Sequence, residues 1–456
     1  MHNRVGVISL GCAKNRVNSE QMMFLLSSAG YHVSGETDSA DVVLVNTCGF
    51  IESAKSEAIE VILEFVALKE SGKIKKLVVA GCLPQRYKDI ILKELPEIDA
   101  VVGTGSFDDI VDVVDKLLHS PPSKGIEYFG DINAKISEAA RINTTSPSWT
   151  YLKIADGCDN RCAYCCIADI RGRYRSRPLE NIVSEATALV NSGIRELILV
   201  AQDLTSYGHD IYGKRRLSDL LKALSNIDKL KWIRLHYMYP SEIDEEIIDV
   251  IAKSDKIVKY LDIPIQHISD NVLKKMRRRG SGEDIKALFT RLRERIPGVV
   301  LRTSLIAGLP GEGEKEFNEL CEFLKEMKIE LVGVFTYSPE EGTDAALMER
   351  PPREVAKRRA EQILQLQTHV IQSWNESRIG SVTAVLIESL EYGVWKAENR
   401  KWDVGSGEIL FGRSFAESPD VDGYIRVKTD RPFECLDFID VRITGIENGE
   451  LVGEPV

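Results

Sequence analysis

Cys158, Cys162 and Cys165 stand in Asp156-Gly157-Cys158-Asp159-Asn160-Arg161-Cys162-Ala163-Tyr164-Cys165, with three residues between the first two thiols and two between the next. Thiolates are the usual protein ligands of iron–sulfur clusters. Three of them can hold three irons of a cubane and leave the fourth open, which a substrate- or cofactor-binding metal requires. Structural zinc normally takes four protein ligands. Zinc completed by Cys166 or a His is the competing reading, although adjacent Cys165 and Cys166 are awkward as joint ligands of one ion.

A second set is scattered in sequence. Cys12 follows Ser9-Leu10-Gly11, Cys48 follows Val45-Asn46-Thr47, and Cys82 follows Val79-Ala80-Gly81. Each falls just past the C-terminal end of an expected parallel strand, the edge where open α/β sheets gather ligands. Buried core cysteines are the competing explanation. The same three-thiolate argument otherwise gives a second cluster with an open iron.

Positioning these residues requires particular elements. Expected strands Val5–Leu10, Val42–Val45, Leu77–Ala80 and Ala100–Val102 alternate with helical patterns at about Ser19–Ser28, Glu52–Lys69 and Tyr87–Glu94. That alternation predicts a parallel sheet with helices on both faces. From Trp149 it restarts with strands Tyr151–Ile154, Leu197–Val200, Trp232–Leu235, Leu261–Ile265, Val299–Ile306 and Val332–Thr336. Six βα units suggest a complete or partial barrel whose active residues lie at the C-terminal strand ends. Pro351-Pro352 opens a helix to about Ser377, with Ile363, Leu366, Val370 and Trp374 as its docking stripe. Short strands at Val382–Ile387, Tyr392–Ala397, Ile409–Phe411, Tyr424–Val427 and Phe438–Ile443 then fit a small antiparallel barrel.

The expected fold class is therefore α/β: an N-terminal parallel α/β sheet domain, a central partial (β/α)6 TIM-like barrel, and a C-terminal small antiparallel β-barrel. The expected boundaries are 1–120, a linker at 121–148, the barrel at 149–350, a docking helix at 351–378 and the small barrel at 379–456. Composition agrees with a globular chain: 43% hydrophobic, 28% charged, and a net charge of −11 from 59 Lys+Arg and 70 Asp+Glu. No apolar run approaches the ~20 residues of a membrane helix. The start, Met1-His2-Asn3-Arg4-Val5, does not read as a secretory signal. The expectation is a cytoplasmic protein with no membrane partner, in which clustered thiols mean metal or redox chemistry.

The CxxxCxΦC pattern, with Tyr164 as its aromatic, resembles the signature of radical S-adenosylmethionine enzymes. That resemblance implies that Cys158, Cys162 and Cys165 are catalytic ligands of a 4Fe-4S cluster whose open iron chelates S-adenosyl-L-methionine. It places Tyr164 beside the adenine. It implies reductive cleavage of the sulfonium to a 5′-deoxyadenosyl radical. With the second set and the C-terminal barrel, essentially the whole chain resembles the methylthiotransferase family, whose C-terminal module is a TRAM barrel. Ser9-Leu10-Gly11-Cys12-Ala13-Lys14-Asn15, Asn46-Thr47-Cys48-Gly49-Phe50-Ile51 and Ile170-Arg171-Gly172-Arg173-Tyr174-Arg175-Ser176-Arg177 resemble the branch that modifies a ribosomal protein. So do His236-Tyr237-Met238-Tyr239-Pro240 and Tyr260-Leu261-Asp262-Ile263-Pro264-Ile265-Gln266-His267. The pattern departs at Cys166 and Ala168, where a small residue and a proline are expected. Both lie beyond the last ligand.

The resemblance implies two 4Fe-4S clusters, the second on Cys12, Cys48 and Cys82, and S-adenosyl-L-methionine as cosubstrate. It implies a flavodoxin- or ferredoxin-type reductant. The reaction implied is methylthio insertion at the β-carbon of an aspartate in small-subunit ribosomal protein S-twelve. One S-adenosylmethionine would supply the radical and another the methyl group. The alternative is the sibling branch, which acts on an adenosine of transfer RNA. A third reading is a non-catalytic iron–sulfur or zinc protein that binds a ribosomal component.

Among other polar strand ends, Gln202, Asp203 and Gln266 are candidates for contacts to the cofactor's ammonium or ribose, with structural roles the competing reading. Gly308-Leu309-Pro310-Gly311-Glu312-Gly313 could admit close backbone approach, but lacks the Lys-Ser/Thr of a phosphate loop. Arg171, Arg173, Arg175 and Arg177 alternate and would share one side of an extended segment. They would there meet a carboxylate or phosphate, or form structural ion pairs. Lys274-Lys275 and Arg277-Arg278-Arg279 read as a solvated helix end. Finally, residues 376–456 carry 9 Lys+Arg and 16 Asp+Glu. Such a barrel should repel a nucleic-acid backbone and attract a basic protein, though an acidic surface also simply aids solubility.

Overall fold

β-Branched runs build the first sheet from β1 (Arg4–Ser9), β2 (His32–Ser34), β3 (Val42–Thr47), β4 (Lys76–Gly81), β5 (Ala100–Val102) and β6 (Ile126–Tyr128). The strands lie in the order β2-β1-β3-β4-β5-β6 and every pair is parallel. The computed structural model describes residues 3–37, 40–88, 90–119, 125–390, 395–396, 401–402, 409–429 and 438–456. Side chains alternate between two apolar layers. Val42, Leu44 and Val78 face Met22, Leu26 and Val113, while Val43, Val45 and Val79 face Ala58, Ile62 and Phe65. Each such buried side chain contributes roughly 1.5–3 kcal/mol. No helix among the described residues is long and apolar enough to cross a membrane.

The first helix runs Ala13–Ser28, beginning directly after Cys12 rather than at Ser19. Its early turns bury Lys14, Asn15, Asn18, Ser19, Glu20 and Gln21, so no apolar period announces them. Of the helix expected over Tyr87–Glu94, only Ile91–Glu94 is helical among the described residues, and a separate short helix, Cys82–Arg86, precedes it. The 121–148 segment is more than a linker: β6 pairs with β5 at the sheet edge. Beyond it, Arg141 pairs with buried Glu20 and, at 2.7 Å, with Glu185, stitching the first helix to the next sheet.

That second sheet comprises β7 (Trp149–Lys153), β10 (Glu196–Val200), β11 (Trp232–Leu235), β12 (Ile257–Asp262), β13 (Val300–Ala307) and β14 (Leu331–Thr336). A small antiparallel pair, β8 (Ala155–Asp156) and β9 (Arg175–Ser176), lies beside it. All six strands are parallel in the order β14-β13-β12-β11-β10-β7, so the barrel is partial, with β7 and β14 as open edges. One face packs Leu152, Leu199, Ile233, Leu261 and Leu301 into the main core. Strand β12 stops at Asp262 instead of Ile265, because Pro264 has no N–H to continue the ladder.

The helix Arg353–Arg378 inserts Ile363 into the main core. The last module is a closed barrel in the order β15-β18-β19-β21-β20: β15 (Val382–Leu390), β18 (Ile409–Arg413), β19 (Ile425–Lys428), β20 (Phe438–Glu447) and β21 (Glu450–Pro455). Two expectations change. The Tyr392–Ala397 strand lies partly outside the described residues. Its described part, β16 (Trp395–Lys396), pairs with β17 (Lys401–Trp402) and, among the described residues, does not join the barrel. The fifth barrel strand is β21, and it meets β19 in parallel while the other barrel pairs are antiparallel.

The loop after β18 locks this barrel to the second sheet. Glu196 accepts from Arg234 Nε and Arg413 Nη2, both at 2.7 Å, and all three residues are fully buried. His236 Nε2 and Ser418 Oγ share a 2.8 Å hydrogen bond, and Tyr260 Oη donates to Asp422 at 2.8 Å.

Candidate functional site

The loops after β1, β3 and β4 bring Cys12, Cys48 and Cys82 together. Gly11 adopts φ 84°, and a Cβ there would lie 2.7 Å from Cys48 Cβ, so only glycine lets these two loops close. Asn15 fastens the group. Its Nδ2 donates to the carbonyls of Leu10 (3.1 Å) and Thr47 (2.9 Å), and its Oδ1 lies 3.8 Å from Cys82 Sγ. One amide thus touches all three cysteine-bearing loops.

These thiols differ in charge. Burial opposes ionisation of Cys12, but Lys14 and Arg171 outweigh it and hold the thiol below its usual value. Burial, reinforced by the Cys82 and Cys12 charges, pushes Cys48 up to about 12. Burial also raises Cys82, against the pull of Arg171. Burial thus opposes ionisation of Cys48 and Cys82, and the positive charge of a bound metal centre would relieve that cost.

Cys158, Cys162 and Cys165 lie in the loop after β8. Gly157 at φ 80° passes against the backbone of Arg173, and Cys158 N donates to Gly172 O at 3.2 Å. Cys165 N donates to Cys162 O at 3.0 Å. Burial raises Cys158 to about 11, and burial with the Cys162 charge raises Cys165 further. Arg278 stands over this set, donating to Tyr164 Oη at 3.2 Å and lying 3.9 Å from Cys162 Sγ. The solvated helix end expected at Arg277–Arg279 is therefore a site element. The helix stops at Lys275, and Arg277 at φ 54° turns Arg278 inward.

A buried polar chain joins the two sets. Arg171 Nη2 donates to Asn15 Oδ1 at 2.5 Å, and Nη1 donates to both oxygens of Asp156, two residues before Cys158. Gln202 Nε2 donates to Asp156 Oδ1 at 2.9 Å, while Gln202 Oε1 is buried with no partner among the described residues. Asp203 is saturated: it accepts from Thr205, Ser206 and Asn160 Nδ2, the last at 3.0 Å, so it holds the cysteine loop through Asn160. Gln266 is half-buried at φ 69°, its backbone bridged to β13.

The alternating arginines do not share a side. Arg171 and Arg177 are buried, the latter paired with Glu138 and Glu185, while Arg173 is exposed. The Gly308–Gly313 turn is braced by the Glu312 carboxylate accepting from Gly308 N at 3.0 Å, with Arg359 behind it. Cys166 is buried in an apolar cluster with Cys82, Ile170 and Phe50. Cys321 packs on the main core, and Cys435 lies outside the described residues. A cavity of about 490 Å³ lies at the seam of β13, the helix Arg353–Arg378 and the last barrel, remote from the thiols.

Among the described residues no three His, Cys, Asp or Glu side chains close on one metal ion. A polynuclear cluster takes its thiols farther apart, each on a different iron. Both sets fit that donor chemistry, with thiols near enough to raise one another's cost of ionising.

Comparison with known proteins identifies the family. Residues 152–324 match the radical SAM superfamily, residues 4–103 match the uncharacterized protein family UPF0004, and residues 379–456 match the TRAM domain. The radical S-adenosylmethionine methyltransferase TsrM from Kitasatospora setae shares the fold, at TM-score 0.56 and 16% identity over 74% of each chain. The superfamily match over the partial barrel, which carries Cys158, Cys162 and Cys165, defines a radical S-adenosylmethionine enzyme, a class built on an iron–sulfur cluster and S-adenosylmethionine. The ribosomal protein uS12 methylthiotransferase RimO of Acetivibrio thermocellus is 44% identical over 100% of this chain and 99% of its own. That of Thermoanaerobacter sp. is 44% identical over 99% of both. That of Clostridium perfringens is 45% identical over 93% of this chain and 92% of its own. The chain belongs to the RimO family of methylthiotransferases.

Proposed function

We propose that this chain inserts a methylthio group at the β-carbon of an aspartate in small-subunit ribosomal protein S-twelve by radical S-adenosylmethionine chemistry. The carrying observation is the pair of three-thiol sets, tied through Asn15, Arg171 and Asp156. Cys158, Cys162 and Cys165 would hold one 4Fe-4S cluster, and Cys12, Cys48 and Cys82 a second. When bound, these groups and S-adenosylmethionine supply a carbon-centred radical that opens a C–H bond, and the sulfur to be transferred.

The chain's own residues then bind and orient. The orphan Gln202 Oε1 suits the cofactor's ammonium, while Asp203 acts by holding Asn160. Tyr164, packed with Val272, Leu309 and Tyr337, offers a face for the adenine. Gln266 stands past β12, where the ribose would lie. The reductant is of the flavodoxin or ferredoxin type. The domain division we propose is 1–120, 149–350 and 379–456, with β6 of the intervening segment added to the first sheet.

Charge supports a basic protein partner less than the total suggests. Glu388 and Glu417 are internal partners of Arg413 and Arg378, and Asp422 receives Tyr260. The exposed acids that remain on β20 and β21 include Asp440, Glu450 and Glu454.

Anaerobic reconstitution with iron and sulfide tests the reading. The expected result is about eight irons per chain, four per cubane, with reductive cleavage of S-adenosylmethionine. Bound zinc without cleavage refutes it.

A further inference from the structure

The loop after β14 touches both thiol-bearing modules. At one end lies Glu340, whose side chain is only 2% exposed. Its Oε2 accepts from Arg86 Nη1 at 2.9 Å, and the same Nη1 donates to the carbonyls of Gly49 (2.9 Å) and Phe50 (3.2 Å). Those are the two residues after Cys48. Arg86 Nη2 donates to Glu341 O at 3.0 Å. At the other end, Ala345 N donates to Ala163 O at 2.9 Å, and Ala163 follows Cys162. Ala345 also packs with Ala163 and Tyr164.

Between these ends the loop is braced. Ser338 Oγ donates to Glu340 Oε1 at 2.8 Å, and Thr343 donates from N and Oγ1 to the Glu340 carbonyl, at 3.1 and 2.7 Å. The far partner is equally constrained. A Cβ on Gly49 would lie 2.8 Å from the Leu83 backbone, so only glycine lets the Cys48 loop press on the helix Cys82–Arg86. That helix carries Arg86. Glu340 also accepts from Lys55 at 3.1 Å, a contact that reaches the helix Glu52–Glu70 rather than the cysteine loop. Docking alone needs one carboxylate and one cation. Arg86 instead spreads its planar fork over four oxygens, two beside Cys48 and two on the loop after β14.

We propose that Glu340 is a positioning residue for methylthio transfer. Through Arg86 it fixes the Cys48 loop, and through the braced turn to Ala345 it sets that loop's distance from the Cys162 loop. This rests on the two-cluster reading above. Modules of one chain move relative to each other by default, and a misplacement of about 1 Å between reacting groups can cost about 100-fold in rate. Arg171 ties the two sets through Asn15 and Asp156. Glu340 adds a second tie through different residues, so that the loops cannot pivot about the first.

The test uses the full reconstituted chain, an S-twelve peptide and amide hydrogen exchange. E340Q is expected to keep wild-type iron content, S-adenosylmethionine cleavage and peptide KM, with about 10- to 100-fold less methylthio product per cleavage. Exchange should quicken in segments 48–51 and 162–165 and stay at wild-type rates in the C-terminal barrel. R86K keeps a cation against Glu340 but not the fork, so it should show the same loss of product even where E340Q fails to fold. K55M removes the other partner of Glu340 and should keep the wild-type product ratio. An undiminished ratio in R86K overturns the proposal. So does an equal loss in K55M, which assigns Glu340 to docking alone, or faster exchange throughout E340Q, which assigns it to global stability. Wild type with only about four irons refutes the two-cluster reading, and the proposal falls with it.

Discussion

Arg171 donates to both carboxylate oxygens of Asp156, at 3.1 and 3.0 Å, with both residues buried. The pair spans two modules, because the same guanidinium bonds Asn15 beside Cys82 while Asp156 leads into Cys158. Burial alone would raise the Asp156 carboxyl, but Arg171 and Lys153 hold it well below the usual carboxylate range.

Breaking that pair leaves a buried charge uncompensated. R171M is expected to cost about 3–5 kcal/mol of stability, and D156N a similar amount. The double variant should cost clearly less than the two together. Anaerobic denaturant titration of the four chains measures this, and additive losses would show that the pair is not coupled.

The two thiol sets should be separable in function. The C12A/C48A/C82A chain is expected to keep about half the iron and to cleave S-adenosylmethionine, yet to form no methylthio product. The C158A/C162A/C165A chain should lose cleavage altogether. Iron analysis and 5′-deoxyadenosine yield distinguish them. Equal loss of cleavage in both would mean that the sets do not act separately.

The seam between the second sheet and the last barrel depends on Glu196, which serves Arg234 and Arg413 together. E196Q leaves two buried cations without their shared anion and should destabilise the chain by about 3–5 kcal/mol. The barrel should become sensitive to limited proteolysis before the rest of the chain. Wild-type resistance would show that the seam is held by other contacts.

His236 gives that seam a pH dependence. Burial first, then Arg234 and Arg302, hold its imidazole well below the ordinary value. The unfolded chain therefore takes up a proton near pH 6.5 that the folded chain refuses. Stability from this group is complete above that pH and falls as acid is added. Between pH 7.5 and 5.5 wild type should lose about 1.4 kcal/mol more than H236N. Parallel stability curves for the two chains would contradict this.

How much of this was legible in the sequence follows from what kind of force makes each feature. The six strands of the second sheet and the three cysteine loops after β1, β3 and β4 carry β-branched runs and abrupt glycines, which read locally. Asn15, Asn18 and Glu20 lie on a buried helix face that is polar because it holds loops and a strap, so apolar periodicity cannot reveal it. Arg278 was hidden by the positive φ of Arg277, which reverses a basic run that looks solvent-facing. Strand β21 begins right after Asn448-Gly449, both at positive φ, and that tight turn falls past the last apolar alternation used to place strands. The acidity of the C-terminal residues misled in part, since a net charge does not separate Glu388 and Glu417, buried against arginines, from acids that face a partner.

Anaerobic turnover of the reconstituted chain with reductant, S-adenosylmethionine, an S-twelve peptide and transfer RNA together, followed by mass spectrometry, separates the two substrates. The peptide's aspartate is expected to gain the mass of one methylthio group, with the RNA unchanged. A gain on the RNA alone, with an unmodified peptide, would contradict it.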